Sequence, residues 1–315
     1  MMRFISAAEC LTVVSHPLAF EAVEAAFIAV ASPQSTLFPV LIGHGSETSS
    51  RFTVKSATQS VTTPLTGLKI GTYWPNNSAK GLPNHNSYIM LLNDETGELE
   101  TVLEGGKVNA YRTAAADAVA AKYLARPDAT RLAIFGAGHQ AFYEVDALLE
   151  ILPIAHVYIV NRDQTRAESL RQHLLNKGID ARLSDAETAC KAADIIVTAT
   201  GSRSPLFQAE WVKPGTHVAS MGSDAQGKQE LPAELFNQAR LFADLPEQSR
   251  TIGEFQHLAT QFAAKDTPVN AMGDVILGKT PGRSNRDEIT VFDSSGIALQ
   301  DLFIAAAIVN ALDSF

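Results

Sequence analysis

The stretch that decides the fold runs from Thr130 to Asp163, TRLAIFGAGHQAFYEVDALLEILPIAHVYIVNRD. An apolar run meets a glycine turn, a helical pattern follows, and a second apolar run closes the unit. This order predicts a strand, a turn, a helix and a strand, in which Gly136 allows the tight turn and Gly138 lets the backbone approach a pyrophosphate. Small Ala141 lets the helix pack closely on the strand. The predicted cofactor-binding residues of this dinucleotide-binding unit are Gly136, Ala137, Gly138, His139 and Gln140.

The end of the second strand indicates which dinucleotide binds. A chain that selects NAD usually has Asp or Glu here, which accepts hydrogen bonds from the ribose hydroxyls. This sequence has Asn161 and Arg162 instead, and an arginine suits a 2′-phosphate that a carboxylate would repel. Asp163 could still reach a ribose, and Arg162 could instead be a solvated loop residue. We therefore predict NADPH as the cofactor, bound by Asn161 and Arg162, with NADH as the alternative.

Composition excludes several classes of protein. The chain has 315 residues, of which 46% are hydrophobic and 19% charged, and this is globular composition with room for two domains. A net charge of −9 without a basic run argues against nucleic acid or an anionic membrane as partner. Prolines interrupt the uncharged stretch from Ala25 to Ser46, which argues against a spanning helix. Cys10 and Cys190 are expected to be thiols in a reducing cytoplasm.

The order of the patterns predicts two domains. Two helices and a mostly antiparallel sheet should fill the first hundred residues, and six strands alternating with helices should follow. The predicted fold class is α/β, a doubly wound parallel (Rossmann) sheet in residues 119–296 plus a smaller α+β domain in residues 1–118 and 297–315. Predictions to be compared below are helices at Leu18–Ala31, Thr113–Ala125, Leu231–Gln238, Glu247–Ala263 and Ala298–Leu312, and a strand at Leu37–Ile42.

Polar residues follow several strands of the parallel sheet, where ligands of such sheets bind. Hydroxyl groups in these loops could hydrogen-bond a nicotinamide ribose or carboxamide, although Ser and Thr are also common in turns; the candidates are Thr198, Thr200, Ser202 and Ser294. Asp224 could pair with a substrate amine or iminium, or relay a proton, and it could equally be a turn residue. The cofactor-binding residues predicted in these loops are Thr198, Ala199, Thr200, Met221, Ser223 and Ser294.

Two cations of the first domain are candidate anion ligands. Lys69 lies in an alternating run and faces away from Leu68 and Ile70. Arg112 immediately precedes a helix capped by Thr113, so the guanidinium and the helix start would face one anion, and both residues are predicted to contact the cofactor. Each cation could instead be a surface charge. The eight histidines show no metal-ligand spacing, and we expect no metal site.

With these elements placed, the chain resembles the ornithine cyclodeaminase and mu-crystallin family along nearly its full length. The resemblance implies that Lys69 and Arg112 bind the substrate carboxylate and that Asp224 is the acid beside the reacting nitrogen, so that Lys69 and Asp224 are catalytic. It also implies that the smaller domain binds substrate and forms a homodimer. The matching blocks are Gly67–Lys69, Trp74–Asn77, Ala79–Pro83, Asp94–Glu98, Tyr111–Ala115, Gly136–Ala141, Gly222–Asp224, Gly227–Leu231, Phe292–Gly296 and Gln300–Asp301.

The implied chemistry is hydride transfer at the carbon between a carboxylate and a nitrogen. The expected reaction is reduction of a cyclic ketimine, Δ1-pyrroline-2-carboxylate to L-proline, and also Δ1-piperideine-2-carboxylate to L-pipecolate. The alternatives are ornithine cyclodeaminase, alanine dehydrogenase and a non-catalytic NADPH-binding protein. Family members that deaminate ornithine usually have an early arginine that Pro33–Val40 lacks, and Lys55 or Arg51 could supply that cation to the substrate.

Overall fold

The computed structural model describes residues 2–259 and 267–314. The chain forms two compact units, unit 1 (Met1–Arg112 with Ile297–Phe315) and unit 2 (Thr113–Gly296). In chain order the elements are β1 (Arg3–Ile5), α1 (Ala7–Val13), α2 (His16–Val30), β2 (Ser35–Leu37), β3 (Leu41–His44), β4 (Arg51–Gln59), β5 (Leu65–Tyr73), β6 (His85–Leu92), β7 (Leu99–Glu104), α3 (Val108–Leu124), β8 (Arg131–Phe135), α4 (His139–Ile151), β9 (His156–Val160), α5 (Gln164–Asn176), β10 (Asp180–Leu183), α6 (Ala186–Ala192), β11 (Ile195–Thr198), β12 (His217–Ser220), β13 (Ala239–Ala243), α7 (Pro246–Ile252), β14 (Val269–Ala271), α8 (Met272–Ile276), β15 (Ile289–Asp293) and α9 (Ala298–Asp313).

Unit 1 is built on a seven-stranded sheet. Its strand order is β1-β7-β6-β5-β4-β2, with β3 also paired to β4, and every pair is antiparallel except β1 with β7. The predicted mostly antiparallel sheet is therefore confirmed. Helix α9 packs on β4, β5 and β6 and against α2. Lys69 of β5 lies in register with Ile89 of β6, which lies in register with Leu103 of β7, so the lysine side chain belongs to a buried row.

Local sequence signals explain most boundaries in unit 1. The side chain of Ser6 accepts a hydrogen bond from the backbone of Glu9 and so caps the start of α1. Ser15 caps α2, which begins at His16, two residues before the predicted Leu18. Pro39 separates β2 from β3, because proline has no N–H to donate to a sheet. The single strand predicted at Leu37–Ile42 is therefore two strands.

Unit 2 is a doubly wound parallel sheet, as predicted. Its strand order is β10-β9-β8-β11-β12-β15-β13-β14, and all of its strand pairs are parallel. The chain starts at the central strand β8, proceeds outward to β10 and returns to β11, so the order reverses beside β8, where such sheets bind ligands. Six strands were predicted for this sheet. Strands β10 and β14, which are only four and three residues long, were not predicted.

Three helix predictions need correction. Helix α3 begins at Val108 rather than Thr113, because Gly105 and Gly106 end the preceding strand and the Asn109 N–H already bonds to the Gly105 carbonyl at 2.8 Å. The helix predicted at Glu247–Ala263 ends at Ile252 and is followed by a 3-10 turn over Glu254–Ala259, and residues 260–263 lie outside the described part of the chain. The helix predicted at Leu231–Gln238 is only a 3-10 turn at Ala233–Asn237.

No single helix in residues 2–259 and 267–314 has the length and hydropathy of a membrane span. Helices α1 and α2 reach that threshold only when taken together, as a pair bent by 95°.

Candidate active site

The glycine turn between β8 and α4 has the geometry of a pyrophosphate-binding turn. Gly136 has a φ of 107°, and a Cβ there would lie 2.7 Å from the carbonyl oxygen of Ala199, so a side chain would be strained and crowded. Gly138 is the N-cap of α4, and a Cβ at Gly138 would meet no atom within 4 Å. The space beside the start of α4 at Gly138 is therefore open, as a turn that binds a pyrophosphate requires.

The residues after β9 differ in their availability to a ligand. Asp163 is the N-cap of α5, and its carboxylate accepts the Arg166 N–H at 3.1 Å and pairs with the Arg166 guanidinium at 3.2 Å. The side chain of Asn161 donates to the Asp163 carbonyl at 2.7 Å. Arg162 is exposed. The acid that could have bound a ribose is thus engaged at the helix end, and the arginine faces solvent.

The hydroxyl groups predicted to bind a nicotinamide are largely used inside unit 2. Thr198 is fully buried, and its hydroxyl donates to the Glu230 carboxylate at 2.8 Å. Ser294 is 5% exposed, and its hydroxyl donates to Asp244 at 3.3 Å. The predicted cofactor hydrogen bond from the Thr198 hydroxyl is therefore wrong, because the group reaches no surface. Thr200 is half-buried and donates to Glu230 at 2.7 Å.

Asp224 lies in the loop after β12, as its position in the sequence indicated. Its carboxylate is 2.6 Å from the ammonium of Lys228, which also donates to the Gly222 carbonyl at 3.0 Å. The Asp224 side chain is about half exposed, at 52%. The acid is therefore accessible to a ligand, and its proposed catalytic role stays a prediction.

The main charged group of unit 1 is a buried cluster that we call the cation cluster, formed by Lys69, Arg112 and Asp301. The ammonium of Lys69 and the guanidinium of Arg112 lie 2.8 Å and 3.1 Å from the Asp301 carboxylate. Asn109 accepts hydrogen bonds from both cations, at 3.2 Å from Lys69 and 2.8 Å from Arg112. All three members of the cluster are less than a tenth exposed. Strand β5, helix α3 and helix α9 each supply one of them.

Burial gives Lys69 an unusual titration. Desolvation, and secondly the charge of Arg112, lower the pKa of Lys69 to about 7, although Asp301 opposes the shift. Lys55 also lowers the pKa, since it lies directly opposite Lys69 in the register of β4 and β5. An ammonium group has three N–H donors. The ammonium of Lys69 donates hydrogen bonds to Asp301 and to Asn109. A lysine that ionises near neutrality can bind an anion or exchange a proton.

The predicted position of Arg112 before a helix start is wrong, and three residues that contact the two cations were not predicted. Arg112 lies in the second turn of α3 and not before the helix start, so the predicted cooperation with the helix dipole at Thr113 is absent. Asp301, Asn109 and Gln300 were assigned no role, although the Gln300–Asp301 block was visible as an acidic start to an apolar helix. Only the fold shows that α9 brings Asp301 to Lys69, 232 positions earlier in the sequence.

Two further acids, Asp244 directly after β13 and Asp293 at the last position of β15, are buried. Asp244 accepts hydrogen bonds from Ser295 at 3.1 Å and from the Gly296 N–H at 2.7 Å. Burial, and then the charge of Asp244, raise the pKa of Asp293 well above its usual range. Ser249 donates a hydrogen bond to Asp293. These contacts fix the Ser294–Gly296 turn from within.

A doubly wound parallel sheet with a glycine turn at its reversal point, joined to an α+β unit with a buried cation cluster, defines a class of two-unit dinucleotide-binding α/β proteins. The sequence model of the ornithine cyclodeaminase/mu-crystallin family matches residues 1–314, and the chain belongs to that family. The resemblance drawn from the motifs is therefore confirmed.

Relatives match over almost the whole chain. The iminosuccinate reductase of Paracoccus denitrificans is 36% identical over 312 residues, which cover 98% of this chain and 96% of the relative. Its crystal structure with NAD+ has a TM-score of 0.92 at 35% identity, with coverage of 99% and 97%. An archaeal alanine dehydrogenase dimer with bound NAD has a TM-score of 0.93 at 31% identity, with coverage of 99% and 96%. The Δ1-pyrroline-2-carboxylate reductase of Thermococcus litoralis, with NADH and L-proline, has a TM-score of 0.91 at 25% identity, with coverage of 99% and 98%.

Proposed function

We propose that the protein is an NAD(P)H-dependent oxidoreductase that reduces a C=N bond next to a carboxylate. The cation cluster is the observation that carries this proposal. Two buried cations share one carboxylate counter-charge, so the cluster has a surplus of positive charge and of N–H donors that a substrate carboxylate would satisfy. The names of the relatives above support the same chemistry.

Each residue has a simple task in this proposal. Arg112 and Lys69 bind the carboxylate and fix the orientation of the adjacent imine carbon. The glycine turn binds the pyrophosphate, and the nicotinamide supplies the hydride when bound. Asp224 stabilises the protonated imine nitrogen by charge. The products are the amino acid and the oxidised cofactor.

We propose Δ1-pyrroline-2-carboxylate, reduced to L-proline, as the substrate, with its six-membered homologue Δ1-piperideine-2-carboxylate as a further one. Both are planar at the reacting carbon and carry one carboxylate. The Thermococcus litoralis reductase, whose structure contains L-proline, supports this choice.

A second candidate substrate is a four-carbon dicarboxylic imine such as iminosuccinate. It is favoured by the position of Lys55, a half-buried cation that lies opposite Lys69 in the register of β4 and β5 and acts on the charge of Lys69. A second substrate carboxylate could bind this additional cation. The iminosuccinate reductase of Paracoccus denitrificans supports this candidate.

The first experiment compares substrates. NADPH and NADH oxidation is followed with Δ1-pyrroline-2-carboxylate, with oxaloacetate plus ammonia as the source of iminosuccinate, and with pyruvate plus ammonia, beside ammonia release from ornithine with NAD+. Oxidation with either imine and no ammonia release is expected. Ammonia and proline from ornithine would show a cyclodeaminase instead, and selective turnover of pyruvate with ammonia would show an alanine dehydrogenase. Nucleotide binding without turnover of any of these substrates would contradict the proposed reductase.

Lys55→Met separates the two imines. Loss of this cation should weaken binding of the dicarboxylic imine about tenfold and leave the monocarboxylic ring imine nearly unchanged, since only the former has a second charge to pair. An equal loss for both would place Lys55 at the shared carboxylate. Unchanged Michaelis constants for both imines would show that Lys55 does not contact the substrate.

We propose NADPH as the preferred cofactor, with NADH as the alternative that the related structures contain. The exposed Arg162 and the engagement of Asp163 in capping α5 support this preference. Arg162→Asp should weaken NADPH more than NADH, because it replaces a phosphate ligand with a like charge. The exposed Arg182→Asp serves as a control with the same charge change. Equal weakening of the two cofactors by Arg162→Asp would refute the assignment.

We also propose a homodimer formed through the sheet of unit 1, in the cytoplasm. The face of this sheet opposite Lys69 carries an apolar row in register across four strands, Phe4, Val102, Met90 and Leu68, and Phe4 is 52% exposed. The free, buried thiols of Cys10 and Cys190 suit a reducing compartment. Phe4→Glu with Met90→Glu should yield a monomer in light scattering, and a dimer that persists would refute this interface.

A further inference from the structure

The buried carboxylate of Glu230 lies beneath the loops that follow β11 and β12. It accepts five hydrogen bonds, from the Thr200 N–H at 2.7 Å, the Thr200 hydroxyl at 2.7 Å, the Gly222 N–H at 2.8 Å, the Thr198 hydroxyl at 2.8 Å and the Ser220 hydroxyl at 3.1 Å. Glu230 is 0% exposed. A carboxylate has about four lone-pair positions, so this one is fully used by donors from two neighbouring strand ends.

The two loops also touch directly. A Cβ at Gly222 would lie 2.1 Å from the carbonyl oxygen of Thr200 and 2.7 Å from Oε1 of Glu230. Only glycine therefore permits the backbone of the second loop to lie this close to the first. The contact makes the spacing between the loops depend on the carboxylate that both of them bind.

Glu254 supports Glu230 from the other side. Its carboxyl group accepts the Leu231 N–H at 2.8 Å and the Glu230 N–H at 3.1 Å. Burial, opposed by these hydrogen bonds and reinforced by the charge of Glu230, raises the pKa of Glu254 to about 8. At neutral pH the carboxyl group of Glu254 therefore favours its protonated form.

The strands concerned have a defined place in a doubly wound sheet. Strands β8 to β10 form the first mononucleotide half, which holds the pyrophosphate turn, and β11 and β12 begin the second half. Dinucleotides bind across both halves, with one nucleoside at each. The loops joined by Glu230 thus lie in the half that the nicotinamide nucleoside would occupy. Met221 to Asp224 belong to the second of these loops, which follows β12.

We propose that Glu230 is a positioning residue that sets the spacing of the β11 and β12 loops for the nicotinamide nucleoside, without contacting the cofactor itself. This inference rests on the proposed use of a nicotinamide dinucleotide. In this proposal the buried hydroxyl of Thr198 donates its hydrogen bond to the Glu230 carboxylate and not to the cofactor. The pyrophosphate turn makes none of these five hydrogen bonds and meets the β11 loop only by the packing of Gly136 on Ala199 and Thr200, so its dependence on Glu230 should be weaker.

The test compares NADPH with 2′-phospho-ADP, which retains the adenosine, the 2′-phosphate and the diphosphate but lacks the nicotinamide nucleoside. Binding to the full-length protein is measured by calorimetry. Glu230→Gln has the same shape but presents an NH2 group to some of the five donors. It should weaken NADPH about tenfold and leave the fragment unchanged within about twofold.

Two matched variants serve as controls. Glu234→Gln makes the same change at an exposed acid in the following 3-10 turn and should affect neither ligand. Glu254→Gln replaces an acid that is already neutral and should weaken NADPH much less than Glu230→Gln. If Glu230→Gln fails to fold, Thr198→Val removes one buried donor to the same carboxylate and should give a smaller loss in the same direction.

The outcomes are distinct. Selective loss of NADPH affinity in Glu230→Gln, or in Thr198→Val, supports the positioning role. Equal weakening of NADPH and the fragment, or no weakening of either, refutes it even if the protein reduces imines. Failure of the unaltered protein to bind NADPH or NADH would overturn the proposed function, and this inference with it.

Discussion

The cation cluster of unit 1 and the acid pair of unit 2, Glu230 with Glu254, both bury charge, but they satisfy it differently. Lys69 and Arg112 share the single acid Asp301, whereas Glu230 alone accepts five hydrogen bonds from its own chain. A surplus of donors leaves room for a ligand, while a saturated carboxylate holds backbone in place. This difference is the reason for our proposal that the cation cluster binds substrate, whereas Glu230 holds its own backbone loops.

The two regions should also respond to pH in opposite directions. The pKa of Lys69 is about 7 in the folded protein and would be near 10.5 in the unfolded chain. The unfolded chain therefore binds more protons between these values, and Lys69 makes stability rise with pH in that window. The pKa of Glu254 is about 8 when folded and near 4.5 when unfolded. The folded protein then binds more protons, and Glu254 makes stability fall as pH rises from 4.5 to 8.

The largest expected effect comes from breaking the cation cluster. Asp301→Asn removes the counter-charge of two buried cations and should lower the free energy of unfolding by about 3 kcal/mol. The measurement is urea denaturation near neutral pH.

Asp313 provides a matched control for this change on the same helix α9. It pairs with Arg3 at 2.5 Å, and its side chain is 59% exposed. Asp313→Asn should therefore cost less than about 1 kcal/mol. Similar losses for Asp301→Asn and Asp313→Asn would show that the cation cluster is not a buried ion network.

An intermediate effect is expected from the titration of Lys69. An unreactive planar 2-carboxylate, such as pyrrole-2-carboxylate, should bind with constant affinity below pH 7. Above pH 7 its affinity should fall, approaching about tenfold per pH unit, because the lysine loses the proton that attracts the anion. Calorimetric titration from pH 6 to 9 measures this dependence.

Lys69→Arg is the informative companion, since a guanidinium stays charged throughout this range. Whatever its affinity at pH 6, its binding should be flat with pH. If the affinity of Lys69→Arg still fell above pH 7, the titrating group would be a residue other than Lys69, and this prediction would be wrong.

The smallest effect concerns the acid pair. Glu254→Gln removes a group that favours the folded state at low pH, so the decline in stability between pH 4.5 and 8 should become shallower than in the unaltered protein. Thermal unfolding at several pH values provides the measurement, with the exposed Glu234→Gln as control. A decline of the same slope in Glu254→Gln would show that Glu254 is ionised like an ordinary glutamate.

Local patterns allowed the dinucleotide-binding turn to be predicted from sequence. The roles of Gly136 and Gly138 follow from their spacing between a strand and a helix, and the capping of α1 by Ser6 follows from a four-residue pattern. These features depend on neighbours within a few residues; the structure confirms the tight turn at Gly136 and contains the Ser6 cap.

Contacts between distant segments could not be read in the same way. Thr113 resembled a helix cap, but α3 already begins at Val108. Arg112 therefore lies in the second turn of the helix and not before its start. Asp301 and Glu230 stood within recognised blocks, yet their partners come from other strands and helices. Thr198 was assigned to the cofactor because strand ends carry ligands, and only burial showed that Glu230 takes its hydroxyl. Charge pairing across the fold decides such roles, and one linear sequence does not display it.

The sharing of Asp301 between two cations has a consequence for laboratory work. A cluster with uncompensated positive charge attracts small inorganic anions as well as carboxylates. Chloride, sulfate and phosphate in a buffer should therefore compete with the substrate and raise its apparent Michaelis constant. Assays in a bulky zwitterionic buffer at low ionic strength would measure the intrinsic affinity, and sulfate inhibition that is competitive with the imine would be a simple sign of an anion site.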